Sequence, residues 1–240
     1  MDAKINKIGF RFGMVAFAAN LAFVIAQTLQ LLRVLKYPFD EILIYGFSLC
    51  IVIPFVLEML AFYYMTPDDK KYWAHAALIF TVIYAIFVTA NYVVQLSTVI
   101  PMSLRGTADE IKMLVQTPHS LFWDFDAIGY ISMGVATLLG AFALENHGFQ
   151  RWVRFSFFAN AAVTPLIAFV YFYPDFTETI LLLGVPWMIT APAAMLLLAV
   201  LFKKNGKGKT ISQHCIEPNA ALQGAEGEAE GKGAAPSRGL

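Results

Sequence analysis

Charged side chains are scarce in this chain, which carries 17 Lys and Arg and 17 Asp and Glu among 240 residues, or 14%. A soluble domain holds about a quarter, because charge keeps its surface in water. The shortage argues against an ordinary soluble fold. A net charge of zero argues against the basic surface that nucleic-acid binding requires, so no nucleic-acid partner is expected. Cysteine is nearly missing as well. Cys50 lies inside an apolar run and Cys215 in a polar tail, so the two do not read as a disulfide framework. There is no C-x-x-C spacing, phosphate-cradling glycine loop or nucleophile motif. No metal or cofactor is expected, and the balance leans away from an enzyme.

Apolar residues are what the chain has in quantity, 58% hydrophobic and 15% aromatic. A hydrocarbon core about 30 Å thick takes roughly 20 residues of helix. Six segments meet that length: Phe12 to Leu32, Ile42 to Met65, Ala74 to Leu96, Ser120 to Leu144, Trp152 to Tyr173 and Glu178 to Phe202. They are continuous rather than alternating, which fits helices and not the strands of a barrel. The basic start and Ala16-Phe17-Ala18 resemble a signal peptide, but the apolar run continues to Leu32. The segment therefore reads as an uncleaved first helix. The expected fold is an all-α polytopic transmembrane bundle in the lipid bilayer of the cell membrane. Residues 1–204 form the membrane domain, and residues 205–240, rich in Gly, Ala, Glu and Ser, form a disordered tail.

Orientation follows from the basic residues. Lys4, Lys7, Arg11, Lys70, Lys71, Arg151, Arg154, Lys203, Lys204, Lys207 and Lys209 fall on one side. Only Arg33, Lys36, Arg105 and Lys112 fall on the other. The positive-inside rule then places both termini in the cytoplasm, which agrees with an even number of spans.

Ionisable and amide side chains inside a membrane usually face the bundle or a wet cavity. Glu58, one turn after Pro54, is a candidate proton-coupling carboxylate, with Asn160 and His75 as candidate partners at similar depth. A larger polar set gathers in the outer half. Asn20, Gln27 and Gln30 lie near one face of span one, and Asn91, Gln95 and Thr98 form one stripe on span three. His119, Trp123 and Asp126 share a face at the start of span four, followed by Tyr130, while Asp124 points elsewhere. Gln27, Asn91, Gln95, His119, Asp126 and Tyr130 are the candidate ligand-binding residues. The loop from about Val99 to His119 holds an amphipathic stretch, suited to a connector on the headgroups or a lid.

Other features read as architecture. Ala18, Ala22 and Ala26, and likewise Ala136 and Gly140, form small-residue edges for close helix approach. Trp73, Trp152, Tyr63, Tyr64, Tyr171 and Tyr173 read as interfacial anchors, and Pro186 and Pro192 should distort span six.

Two stretches, Asn91-Tyr-Val-Val-Gln-Leu-Ser-Thr-Val-Ile-Pro101 and Pro118-His-Ser-Leu-Phe-Trp-Asp-Phe-Asp-Ala-Ile-Gly-Tyr130, are similar to segments of an uncharacterised family of small polytopic microbial membrane proteins. The resemblance covers spans three and four and implies no particular activity. Three readings stay open at this point. The chain is a small-solute or ion transporter or channel with an outward-facing polar cavity, a solute or a proton being its small partner. Alternatively it is an intramembrane enzyme on a lipid-like substrate using His119, Asp124 and Asp126. In the third reading it is an accessory subunit whose polar residues only tie helices together.

Overall fold

The computed structural model describes residues 2–206, and every regular element among them is helical. Six helices are long and apolar enough to cross a membrane. Span one is Asp2–Leu31, span two Phe39–Met65, span four Leu121–Phe142 and span five Gln150–Phe172. Span three runs as α-helix over Lys71–Val94, widens into a π turn at Gln95–Val99 and resumes as Ile100–Leu104. Pro101 accounts for the widening. It has no N–H for the Ser97 carbonyl, and in a regular helix its ring would crowd that carbonyl.

Span six lies where expected and is interrupted at Pro186, one of the two prolines expected to distort it. The chain forms short helical turns at Glu178–Leu181 and Leu182–Gly184, and its continuous helix runs over residues 187–206. Pro186 sits at the break, where a missing N–H costs least, just before the new helix. All but the first two residues of the expected tail, and Cys215 with them, lie outside the described residues.

Sequence neighbours pack side by side from span one to span five, and span six closes the ring against span one. Small residues make that closure. A side chain at Gly9 would meet the Phe202 ring at 2.7 Å, and one at Gly13 would meet the Ala199 Cβ at 2.8 Å. Asn6, Gly9, Gly13, Ala16 and Asn20 form the buried seam of span one. This corrects the expected edge, since Ala18 is exposed and only Ala26 of that trio is buried. The edge on span four is as expected, with Ala136 and Gly140 both buried.

Span four is the most enclosed helix, with 56% of its apolar window buried, and it touches neighbours on two faces. Gly129 lies under Val88 of span three, and Gly134 under Thr164 of span five. A Cβ at Gly134 would stand 1.7 Å from the Thr164 Oγ1 and 2.7 Å from its Cβ, so turning the hydroxyl away does not make room. Gly134→Ala is expected to force the helices apart and destabilise the bundle by about 2 kcal/mol. Gly46→Ala, with nothing within 4 Å of the new atom, should be neutral or slightly stabilising. Unfolding midpoints in mixed detergent micelles compare the two, and equal midpoints would refute the close contact.

At the end of the bundle that carries the chain's described termini, the Lys70 ammonium lies 2.5 Å from Glu145, joining two loops. Its hydrogen bond holds the Glu145 carboxyl below the usual glutamate range.

Candidate functional site

At the opposite end the six spans part around a cavity of about 340 Å³. Its polar centre is Asp126, in the second turn of span four and only 4% exposed. Ser120 starts that helix by accepting from the Trp123 backbone N–H at 3.2 Å, which fixes the turn from which Asp126 projects. Three neutral donors converge on the carboxyl group. Tyr92 of span three donates its hydroxyl to Oδ1 at 2.6 Å, while Tyr171 of span five and Gln116 of the long loop donate to Oδ2 at 2.5 and 3.0 Å.

The loop is tied in by the stripe on span three. Asn91 donates to the Gln116 Oε1 at 3.0 Å, so the Gln116 amide is oriented with its NH₂ toward Asp126. Gln95 donates to the Leu114 carbonyl at 2.7 Å and accepts from the Gln116 N–H at 3.2 Å. A buried amide making two such bonds to backbone fixes a loop as firmly as a strand pairing would. The segment around Gln116 is thus a wall of the cavity rather than a connector lying loose on the surface.

Aromatic rings form much of the remaining lining. Trp123 and Tyr171 pack with centroids 4.5 Å apart, and Tyr130 meets the Trp187 ring edge-on at 4.7 Å. Tyr45 stacks on Tyr92 at 5.1 Å. A second acidic group, Glu41, lines the cavity from the start of span two. Beside it, Gln27 donates to Gln30 and Gln30 to Asp40 at 2.8 and 3.1 Å. Among the described residues, no Lys, Arg or His lines the cavity. An ionised carboxylate only accepts hydrogen bonds, and every group around Asp126 donates. All the side chains that hydrogen-bond to Asp126 here are neutral ones.

The candidates named from sequence divide into three groups. Gln27, Asp126 and Tyr130 line the cavity together. Asn91 and Gln95 stand behind its wall and position it. His119 is brought to neither place, for it precedes the helix, is exposed and has a φ of 65°. Span four begins at Leu121, so His119 does not share a helical face with Asp126 as its spacing suggested. Asp124 is exposed as well.

Several lining residues escaped the sequence reading. Tyr171 was expected at the lipid interface as an anchor and instead points inward to Asp126. Gln116 and Trp187 carry no periodic signal of their own. A signal for Tyr92 was present in its burial-compatible spacing from Tyr84 and Val88, all three of which are buried.

The second candidate carboxyl, Glu58, lies in the other half of the bundle. It is fully buried, and neither oxygen has a hydrogen-bond partner among the described residues. Gly13 of span one and Ala199 of span six enclose it. The expected partners are occupied elsewhere. Asn160 donates to the Thr137 hydroxyl and accepts from that of Thr190, at 3.1 and 3.0 Å. His75 is exposed and lies against the Tyr63 ring. Among the described residues no group of three or more His, Cys, Asp or Glu is placed to hold a metal ion.

No family model, curated protein or solved structure matches the chain.

Proposed function

We propose that this multi-pass membrane protein is a small-solute transporter, with both termini cytoplasmic and the cavity opening to the opposite side. The observation that carries the reading is Asp126, an acidic group held by neutral donors at the base of a cavity roomy enough for a small organic molecule. Intramembrane carboxylates of this kind commonly mark a solute or proton path. The distribution of Lys and Arg supports the orientation. The π turn at Gln95–Val99 lies beside the residues that fix the cavity wall, where a break in regular helix allows a span to bend. Glu58 is the group in this scheme that takes up and releases the coupling proton.

The enzyme reading needs His119 and Asp124 beside Asp126, and both are exposed away from the cavity. The accessory reading accounts for Asn160, Thr137 and Thr190, which tie three spans together, but not for a carboxyl group facing an open cavity.

Proteoliposomes containing the full chain test the proposal against a monosaccharide, a zwitterionic amino acid and a small amine. At least one should enter faster than into protein-free vesicles. Asp126→Asn should cut that flux about a hundredfold if the carboxylate anchors the solute in the dry site, while circular dichroism stays unchanged. Flux of all three at the protein-free rate, or full flux in the folded variant, would refute transport through this cavity.

A further inference from the structure

We propose that the cavity takes an organic cation, an ammonium group bearing small alkyl substituents. The inference rests on the reading of the cavity as a solute site and names the chemistry of what enters it.

Three features of the lining converge on that class. The first is charge. Asp126 and Glu41 both face the cavity and no basic side chain among the described residues does, so a cation there meets two acidic groups and no basic one of that lining. The second is the donor pattern. The groups on Asp126 are neutral hydroxyls and an amide, which solvate a carboxylate without cancelling its charge. Had the site evolved around an anion, the acid would stand where a lysine or arginine is needed. The third is the ring system. Trp123, Tyr171, Tyr130 and Trp187 form a connected set, each touching the next at 4.5 to 6.1 Å with tilted or edge-on geometry. Such an arrangement presents ring faces in several directions. The negative face of an aromatic ring attracts a cation, Trp most strongly, and the attraction grows when water is excluded.

Each feature alone has a plainer origin. Aromatic residues are common near membrane boundaries, and a lone carboxyl group serves many purposes. Together they resolve the roles. Rings replace the loosely held water of an alkylammonium and the carboxylates supply countercharge, whereas a sugar offers no charge for them to attract and a carboxylate solute would be repelled.

Calorimetric titration of the full chain in detergent with three molecules of nearly one shape tests this. Choline carries the cation, 3,3-dimethyl-1-butanol is its uncharged carbon analogue, and 3,3-dimethylbutanoate is an anion of similar bulk. Choline should bind saturably and about tenfold or more tightly than the alcohol, the discrimination expected of a desolvated cation–π site. Trp187→Leu should reduce choline affinity about tenfold while changing alcohol affinity little, and Asp126→Asn should act in the same direction. If the alcohol or the butanoate binds as tightly as choline, the cation assignment is wrong and the solute cavity stands. If none of the three binds the unmodified protein, the cation assignment is likewise wrong, and the solute cavity then stands or falls by the proteoliposome flux of the monosaccharide and the amino acid.

Discussion

Asp126→Leu is expected to lower the stability of the bundle by about 3 kcal/mol or more, the largest loss of any single change in the cavity wall. The substitution removes the acceptor shared by Tyr92, Tyr171 and Gln116. Each buried donor left without a partner costs about 1–3 kcal/mol, and three donors on one group do not add fully because they relax together. Asp126→Asn keeps one carbonyl oxygen and should cost about half as much. Unfolding in mixed micelles, followed by tryptophan fluorescence, separates the two variants. A leucine variant as stable as the parent would mean that the three donors find other partners and that Asp126 does not organise the wall.

Glu58→Met is expected to have the opposite sign, stabilising the protein by about 1–3 kcal/mol. Glu58 is enclosed by apolar and backbone surface, and neither of its oxygens meets a donor or acceptor among the described residues. Methionine has nearly the same length and fills the space without polar atoms that need partners. Glu58→Gln supplies the control. It keeps polar atoms in the same dry position and should not stabilise. A residue retained against stability is retained for another reason, and the transport reading supplies one. In proteoliposomes, flux through the unmodified protein should rise with an imposed proton gradient, whereas flux through Glu58→Met should ignore it. A methionine variant that is less stable than the parent would show that Glu58 has a structural partner and would remove the main argument for its role.

Most of the fold was legible in the sequence because hydropathy over about 20 residues reports directly on the membrane. The ends of the spans were less legible. Span one begins at Asp2 rather than Phe12, because a helix continues past the lipid wherever its polar residues can reach water. Lys4, Lys7 and Arg11 are exposed there while Asn6 and Gly9 turn inward. Span six reads from sequence as one run from Glu178, because mean hydropathy does not register the interruption of the helix at Pro186.

The site was legible only in part, for a reason specific to its parts. Asp126 stood out because a carboxyl group in an apolar run is conspicuous. Its partners did not, since Tyr171 has the same sequence signature whether it faces headgroups or a carboxylate. Gln116 belongs to a loop, where no period predicts direction. Asn91 and Gln95 share one stripe of span three and read from sequence as ligand-binding candidates, yet their hydrogen bonds hold that loop, which only the three-dimensional course of the chain reveals.

The seam between spans one and six also bears on how the chain is assembled. Asn20 gives its amide N–H to the sulfur of Met195, a partner 175 positions later in the chain. Until the helix that carries Met195 enters the bilayer, Asn20 and Gly9 lack the span-six side chains that cover them, whereas Gly13 already meets Glu58 of span two. During synthesis the Asn20 amide therefore has to be satisfied by something other than Met195. The contacts between spans one and six can form only after span six is made, 175 residues after Asn20 in the case of its bond to Met195.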